Sequence, residues 1–295
     1  MSRTTARLRT DSAARLAELE RQRPEWQAWF GLHREAEHEL ADADWDRVIA
    51  ESDPAPSLSD PTFNRVPLLH GRTLRVDGTR LQRLIRRLLT AASRLDGPAS
   101  LRGYQPTVAE AVSLTESAMR QNRGEIAALA TARRIDAGAL ISLAHLAALP
   151  LLRASGRGLQ QEHHWAHGYC PVCAGWPILA ERRGLDRSRW LRCGRCAGAW
   201  EVQWLTCVYC GEQNHERLGS LVPEDGSELH KVETCTSCRG YLKSIASLRA
   251  FPPLELLLVD LETVEFDLVA LDRGYRRPAE SGFALDLELI DDAPG

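Results

Sequence analysis

The stretch YCPVCAGWP, residues 169–177, places two cysteines three positions apart, with a proline after the first and a glycine shortly after the second. Such a spacing is typical of a metal-binding knuckle, in which one tight turn presents two thiolates to an ion. The chain contains eight cysteines, and each belongs to a C-x-x-C pair. The pairs are Cys170/Cys173, Cys193/Cys196, Cys207/Cys210 and Cys235/Cys238. In a reducing compartment this pattern predicts metal sites rather than disulfides.

The spacing between the pairs predicts which cysteines share an ion. Successive pairs are separated by 19, 10 and 24 residues. Intervals of about 15 to 20 residues between two pairs are typical of four-cysteine sites. We therefore expect pairs one and two to form one site, and pairs three and four another; a cross-braced arrangement of the first pair with the third is the alternative. Nearby glycines are expected to supply positive φ or close approach of backbone to sulfur, at positions 175, 194, 198, 211 and 240.

Four thiolates around one ion leave no coordination position open for water, so we expect no Lewis-acid catalysis by a metal-bound water. Tetrahedral sulfur suits iron and zinc alike, and CPVC resembles a rubredoxin knuckle. The residues alone leave the two metals open between iron and zinc. Redox dithiol chemistry is disfavoured, because the four motifs lie among hairpins rather than at helix N-termini.

Composition limits the remaining possibilities. The 295 residues are 44% hydrophobic and 26% charged, as in ordinary globular proteins, and the net charge of −3 argues against a protein that coats nucleic acid or an anionic membrane. The first twenty residues are charged throughout and lack the apolar core of a secretory signal. The longest apolar run, residues 138–154, is shorter than the roughly 18 to 20 residues of a spanning helix and contains His145 and Pro150. We expect a cytoplasmic protein without a membrane span.

The predicted fold class is α+β, with a helical N-terminal domain over residues 1–162. Helices are predicted over about 11–23, behind Pro24, and near 78–95, 106–135 and 136–152, with a proline-rich excursion over 51–71. One apolar face of the helix near 78–95 is expected in the core, and it comprises Leu81, Leu84, Ile85, Leu88 and Leu89.

The second half of the chain predicts β structure around the cysteines. Short alternating stretches separated by glycine-containing turns predict hairpins, which we divide into two rubredoxin-like (zinc-ribbon-like) modules over 163–206 and 207–250. Modules of this size need metal to remain folded. Residues 251–295 are expected to form an amphipathic helix followed by a frayed acidic tail.

Arginine and tryptophan are concentrated around the second cysteine pair. The stretch ERRGLDRSRWLRCGRC, residues 181–196, can contact an acidic peptide or a nucleic-acid backbone, or can be an ordinary solvated hairpin, while the tryptophans can simply pack around the metal sites. Residues 163–250 carry eleven basic and nine acidic side chains, a balance that weakens the nucleic-acid interpretation. The candidate partner-binding residues are Arg189, Trp190, Arg192, Trp200, Trp204 and Tyr241.

Taken in order, these motifs resemble the FdhE family of formate dehydrogenase accessory proteins. The resemblance covers most of the chain and rests on YCPVCAGWP, RWLRCGRCAGAWEVQWLTCVYCGE (189–212), ETCTSCRGYLK (233–243) and VDLETVEFDLVALDRGY (259–275). The chain departs from the family at Ala174, which separates the first knuckle from Gly175. This departure leaves the eight cysteines intact.

The resemblance implies a cytoplasmic maturation factor, not itself a catalyst. Its partner would be the catalytic subunit of a respiratory molybdenum- and selenium-containing formate dehydrogenase, bound before export. The resemblance also favours iron over zinc in both sites. Two other functions stay open: a zinc-ribbon nucleic-acid-binding protein, and a rubredoxin-type electron carrier, for which the large helical domain would have no role.

Overall fold

A computed structural model describes residues 14–40, 42–52, 66–94, 98–157, 165–224 and 229–292. The chain divides into two compact units. The helical unit comprises Glu20–Phe63, Pro67–Gly158 and Ala284–Gly295, and the sheet unit comprises Met1–Leu19, Asn64–Val66 and Leu159–Phe283. The mixed α and β composition is confirmed. The division differs from the four consecutive segments 1–162, 163–206, 207–250 and 251–295 that the sequence predicts.

Residues 14–22 are helical and are called α1. The helices of the helical unit are α2 (Gln27–Leu40), α3 (Ala43–Glu51), α4 (Gly78–Arg94), α5 (Val108–Arg120), α6 (Arg123–Arg133) and α7 (Ala137–Arg157). Two strands complete this unit, β1 (Arg72–Val76) and β8 (Leu287–Asp291), and they pair in parallel. The predicted N-cap at Thr10 to Ser12 and most of the proline-rich excursion lie outside the described residues.

The amphipathic helix predicted near 78–95 is confirmed as α4. All five residues of its predicted apolar face are buried. The single helix predicted over 106–135 is instead two helices, α5 and α6. Gln121 ends α5 in a left-handed conformation with φ 61°, and the Asn122 side chain then caps α6 by accepting from the backbone N–H of Glu125. This local capping outweighs the continuous apolar pattern.

The long apolar run forms α7, and its prediction as a buried core helix is confirmed. Leu140, Leu143, Ala147 and Leu151 on this helix are buried, and α2, α3, α4, α5 and α6 all pack against it. Within the described part of the chain it is the one helix long and apolar enough to cross a membrane, and 61% of its apolar window is buried inside the protein. A core helix meets the same criteria of length and composition.

Within its described residues, the sheet unit contains six strands in the order β4-β3-β2-β7-β6-β5. They are β2 (Pro177–Arg183), β3 (Ser188–Cys193), β4 (Ala199–Glu201), β5 (Leu218–Leu221), β6 (His230–Cys235) and β7 (Tyr241–Ser247). Neighbours are antiparallel except β2 and β7, which pair in parallel from Leu179↔Lys243 to Arg183↔Ser247. The hairpins of both predicted cysteine modules therefore join into one sheet. The rubredoxin likeness of each module stays a prediction.

The C-terminal segment differs most from its prediction. Two short helices, α8 (Pro253–Glu262) and α9 (Val264–Asp272), replace the one expected, and α9 packs on β6 and β7. The expected frayed tail contains strand β8, with Leu287 and Leu289 buried. The alternation of LELID suits a strand with one buried face, but the acidic composition obscured it. Residues 293–295 lie outside the described part.

Candidate metal centres

The four C-x-x-C knuckles share one backbone geometry. In each knuckle the N–H of the first cysteine donates to the carbonyl oxygen five residues later, at 2.8 Å (Cys170 to Gly175), 3.0 Å (Cys193 to Gly198), 2.8 Å (Cys207 to Glu212) and 3.0 Å (Cys235 to Gly240). The residue directly after the second cysteine has a left-handed φ, of 58° (Ala174), 62° (Ala197), 75° (Gly211) and 57° (Arg239). Each turn thus aims both of its thiols to the same side.

Glycines serve these turns mainly by their lack of a side chain. A Cβ on Gly198 would lie 3.2 Å from Cys196 Sγ, and one on Gly240 would lie 3.0 Å from Cys238 Sγ. Only Gly211, of the five glycines singled out from the sequence, provides the left-handed φ itself. The chain accepts Ala174 in that conformation, so the departure from the family pattern at this position leaves the knuckle closed.

The first four cysteines form one group, called centre 1, which is fully buried. The Sγ atoms of Cys170 and Cys196 are 3.4 Å apart, and those of Cys173 and Cys193 are 3.5 Å apart. All four sulfurs lie within 4.8 Å of one another. The first and second knuckles therefore converge, as the sequential pairing predicts and cross-bracing does not.

The other four cysteines form centre 2, which is more open. Cys207 Sγ is 3.6 Å from Cys238 Sγ, and Cys210 Sγ is 3.8 Å from Cys235 Sγ. Cys210 is exposed and Cys238 is half-buried, whereas the other two are buried. The two centres thus have the same donor set but different access to solvent.

Both groups fit a tetrahedral ion. Metal–sulfur bonds of about 2.3 Å produce sulfur–sulfur edges of about 3.8 Å in a regular tetrahedron. The observed separations of 3.4 to 3.8 Å match these edges, and they are far longer than the roughly 2.05 Å of a disulfide. Centre 1 can hold one ion with its four thiols, and centre 2 can hold another. The metal itself is not specified by the geometry.

The surroundings of the sulfurs suit bound thiolates. Burial raises the pKa of the Cys170 thiol and of the Cys207 thiol. Four buried thiolates repel one another, and a cation offsets this repulsion while it deprotonates them. Backbone N–H groups also point at sulfur, with Val172 N at 3.4 Å from Cys170 Sγ and Gly198 N at 3.3 Å from Cys196 Sγ. These are the contacts expected to stabilise negative sulfur.

The first and third knuckles touch directly. A Cβ built on Gly168, just before the first knuckle, would lie 1.7 Å from the carbonyl oxygen of Val208, inside the third. The Trp176 ring also meets the Tyr209 ring edge-on, with centroids 5.2 Å apart. Centre 1 and centre 2 are therefore joined through backbone and aromatic contacts within one unit.

Centre 2 has an additional brace between its two knuckles. Glu212 follows the third knuckle, and its carboxylate accepts a 2.6 Å hydrogen bond from the hydroxyl of Ser237, which lies inside the fourth. The Glu212 carboxylate also accepts from the backbone N–H of Asn214 at 2.9 Å. The Ser237 and Asn214 bonds lower the pKa of Glu212 to about 2. The ionised Glu212 side chain thus links the third and fourth knuckles beside the more open centre.

The candidate partner-binding residues are mostly inside the sheet unit. Arg189, Arg192, Trp200 and Tyr241 are buried, Trp190 is half-buried, and Trp204 is exposed. Burial removes the first four from direct contact with a partner, because neighbours within the unit use their polar groups.

Arg192 and Tyr241 show how those polar groups are used. Arg192 pairs with the fully buried Glu181 and donates to Phe251 O at 2.9 Å. Tyr241 Oη donates to Asp267 Oδ1 at 2.8 Å. The arginine-rich stretch is therefore not one continuous cationic surface, because two of its arginines, Arg189 and Arg192, are buried in ion pairs.

A buried charged network lies beside centre 2, and the sequence interpretation did not include it. Lys243 is buried on β7, with its Nζ 2.6 Å from Asp260 Oδ1 and 2.7 Å from Asp267 Oδ2. Arg277 also pairs with Asp267, and its Nη2 lies 2.8 Å from Asp267 Oδ1. Burial lowers the pKa of Arg277, but the two carboxylates raise it further, so the net shift is upward. A lysine in an apolar strand and two acids seven residues apart were the available signals.

Fold and site together define a class: a two-unit protein in which one sheet carries two closed four-cysteine metal-binding groups. No family model matches the chain. Two curated relatives named Protein FdhE homolog are similar to it. The relative from Stutzerimonas stutzeri is 35% identical over 113 residues, which cover 37% of this chain and 36% of the relative. The relative from Aquifex aeolicus is 32% identical over 136 residues, which cover 43% and 45%.

The chain spans less than half the length of these relatives in either match. A solved structure, the crystal structure of the FdhE protein from Pseudomonas aeruginosa, aligns over 86% of this chain and 95% of that one, with a TM-score of 0.48 and 21% identity. The resemblance to FdhE proteins that the cysteine motifs predict is thus confirmed as sequence similarity over part of the chain.

Proposed function

We propose that this chain is a formate dehydrogenase accessory protein, not an enzyme, that binds the catalytic subunit of a molybdenum- and selenium-containing formate dehydrogenase. The observation that carries the proposal is the relation to the FdhE homologues, together with the four knuckles that the family resemblance emphasises. The binding takes place in the cytoplasm, before the subunit is exported. In this role the chain assists maturation of the subunit and then dissociates from it in an unchanged form.

The two centres support this role through their closed coordination. Four sulfurs fill the tetrahedron in each group, so a substrate has no open position at an ion held there. Cys170, Cys173, Cys193 and Cys196 would hold one ion, and the four later cysteines the other. We infer iron in both centres from the family resemblance. Bound there, such ions would hold the hairpins of the sheet unit together and would supply one-electron chemistry.

Nucleic-acid binding and simple electron carriage are less well supported. The arginines expected to contact phosphate include Arg189 and Arg192, and both are buried in ion pairs with Glu233 and Glu181. A carrier needs only its metal centre, whereas this chain devotes more than half of its described residues to a helical unit. These features favour a protein that binds another protein.

Genetic complementation tests the proposal. A host that makes formate dehydrogenase, but lacks its own accessory factor, should regain formate oxidation when it expresses this chain. The tagged chain should also copurify with the catalytic subunit. The double variant Cys193→Ser/Cys196→Ser should fail in both assays, while Leu248→Ala, at an 84% exposed position outside both centres, should behave as the parent. Full dehydrogenase activity without the chain, or none with it, would refute the proposal.

A further inference from the structure

The loop between the second and third knuckles displays two large apolar side chains. Trp204 is 42% exposed and Leu205 is 66% exposed. Leu205 also has a φ of +56°, which a bulky L residue adopts rarely and which is found mostly in turns and at functional sites. The chain therefore accepts both an unfavourable backbone conformation and exposed apolar surface at this loop.

The buried side chain of Arg189 holds this loop in place through hydrogen bonds to its backbone. Arg189 Nη1 donates to the carbonyl oxygens of Gln203 at 3.0 Å and Thr206 at 3.1 Å, which flank the two exposed residues. Its Nη2 donates to Glu233 Oε2 at 2.6 Å, which anchors the guanidinium on strand β6. Three bonds from one rigid fork fix the loop to the sheet. Trp204 and Leu205 are thus presented by a preorganised support.

An apolar cavity of about 240 Å³ opens beneath the loop. Its mainly apolar lining includes Leu205, Val208, Tyr209, Leu218 and Leu242, and Cys207 and Cys235 of centre 2 also line it. On its floor Glu233 Oε1 is buried and, among the described residues, has no hydrogen-bond partner. A volume of this size accepts one or two large side chains, and the acceptor can take a hydrogen bond from a peptide N–H.

A second cavity, of about 200 Å³, continues from the first and is cationic. Arg182, Arg187 and Lys231 line it, together with Trp204, Ser220 and Val222, and no acid is among these described lining residues. Trp204, Ser220 and Lys231 line both cavities, so the two spaces adjoin. Lys231 Nζ also lies over the Trp204 ring, 5.6 Å from its centroid. An apolar space therefore passes directly into one that favours negative charge.

We propose that these two cavities form a docking surface for a peptide segment of the protein partner that carries a large apolar side chain next to a carboxylate. The apolar side chain enters beneath Trp204 and Leu205, and the carboxylate meets Lys231 and Arg187. Charge complementarity selects this occupant, because an apolar cavity alone would not prefer an acidic neighbour. Strand β5 is an edge strand of the sheet in the part of the chain that the structure describes, and it lines both cavities, so the segment can also pair with its outer side. The surface deepens the proposed function by naming where the partner binds.

The test uses a phage-displayed library of random peptides, selected on the intact metal-loaded protein and measured by fluorescence anisotropy. Selected peptides should combine an apolar residue with an adjacent acid. Trp204→Ala should weaken binding at least tenfold, as for an interface hot spot. Lys231→Glu should weaken it similarly, and high salt should reduce the affinity of the parent. Leu248→Ala and Arg249→Glu, at exposed positions outside both cavities, are the matched controls.

The metal content and thermal stability of each variant are measured as well. They show whether a variant that no longer binds peptide is still folded. Peptides without an acid, peptides bound equally by Trp204→Ala, or no selected peptide at all would overturn the surface. Selection of nucleic acid in place of peptide, from a parallel pool of random RNA, would overturn it as well. The complementation assay is independent of these results. If that assay succeeds while the peptide test fails, the surface is wrong and the accessory function stands; the reverse outcome leaves the surface standing without that function.

Discussion

Gly168 lies so close to Val208 that a Cβ at position 168 would come within 1.7 Å of the Val208 carbonyl oxygen. Backbone cannot yield as a flexible side chain can, so Gly168→Ala should separate the first and third knuckles. We expect the free energy of unfolding to fall by about 1 to 3 kcal/mol, as for overpacking of a dense interior. Chemical denaturation of the metal-loaded protein measures this loss.

Gly124→Ala is the matched control for that substitution. Gly124 lies on helix α6, where a new Cβ would meet its nearest neighbour, Asn122 Oδ1, at 3.4 Å. Alanine is favoured over glycine inside a helix by up to about 1 kcal/mol. This variant should therefore equal or exceed the parent in stability. If the two variants lose stability equally, the contact between the knuckles is not tight.

The two centres should release their metals at different rates. Cys210 of centre 2 is exposed, whereas all four cysteines of centre 1 are buried. A chelator therefore reaches the second ion first, and release should occur in two phases of equal amplitude. Cys207→Ser/Cys210→Ser should remove the fast phase, and Cys193→Ser/Cys196→Ser the slow one. A chromogenic chelator assay measures the phases; a single phase in the parent would contradict this difference in access.

The buried pair of Glu181 and Arg192 should contribute strongly to the sheet unit. The Glu181 carboxylate accepts from Arg192 and, at 3.2 Å, from the N–H of Phe251, and both charged side chains are buried. Glu181→Gln leaves the Arg192 guanidinium buried without its counter-charge, a loss typically near 3 to 5 kcal/mol. Asp44→Asn, in the exposed pair with Arg47, should cost less than about 1 kcal/mol. Equal effects in denaturant titrations would show that burial does not distinguish the pairs.

The helical unit should lose stability on mild acidification through His33. Burial, with a smaller contribution from the nearby Arg153 charge, lowers the pKa of His33 to about 4. The folded state keeps this ring neutral between pH 6.5 and about 4, while the unfolded chain takes up a proton. The stability contribution is thus fully present above pH 6.5 and is lost as the pH falls toward 4, by an order of 1 to 3 kcal/mol.

Replacement of His33 isolates this effect from that of the carboxylates. His33→Gln has no titrating ring, so its free energy of unfolding should fall less than that of the parent between pH 6.5 and 4. The ring packs against Trp29 with the centroids 3.8 Å apart and the planes tilted by 43°, so some loss at all pH values is expected from the contact itself. Parallel pH curves for parent and variant would show that His33 titrates normally in the folded chain.

The cysteine spacing and the helical periodicity were sufficient to predict the local elements. C-x-x-C pairs place their thiols through short-range backbone geometry, so the knuckles and their sequential pairing follow from the motif. Leu81, Leu84 and Leu88 recur at helical spacing, and that spacing alone predicts a buried face. These signals need no knowledge of distant contacts.

The pairing of strands that are distant along the chain could not be predicted from the sequence. Strand β2 joins β7 in parallel across some sixty residues, and β8 returns to pair with β1 over more than two hundred. Nothing in LELID specifies so distant a partner. The buried arginines were misjudged for a similar reason, since only the fold brings Glu233 to Arg189 and Glu181 to Arg192. An arginine-rich stretch is expected to lie on the surface when the carboxylates that pair with it cannot be identified from the sequence.

Metal analysis of the purified chain, combined with X-ray absorption spectroscopy at the metal edge, tests directly whether the eight cysteines form two closed metal centres. We expect two ions per chain, each with four sulfur neighbours at about 2.3 Å and no oxygen or nitrogen ligand. Removal of one knuckle pair by serine should leave one such ion. Fewer than two ions in the fully loaded protein, or a mixed sulfur and oxygen shell, would contradict two closed four-cysteine centres.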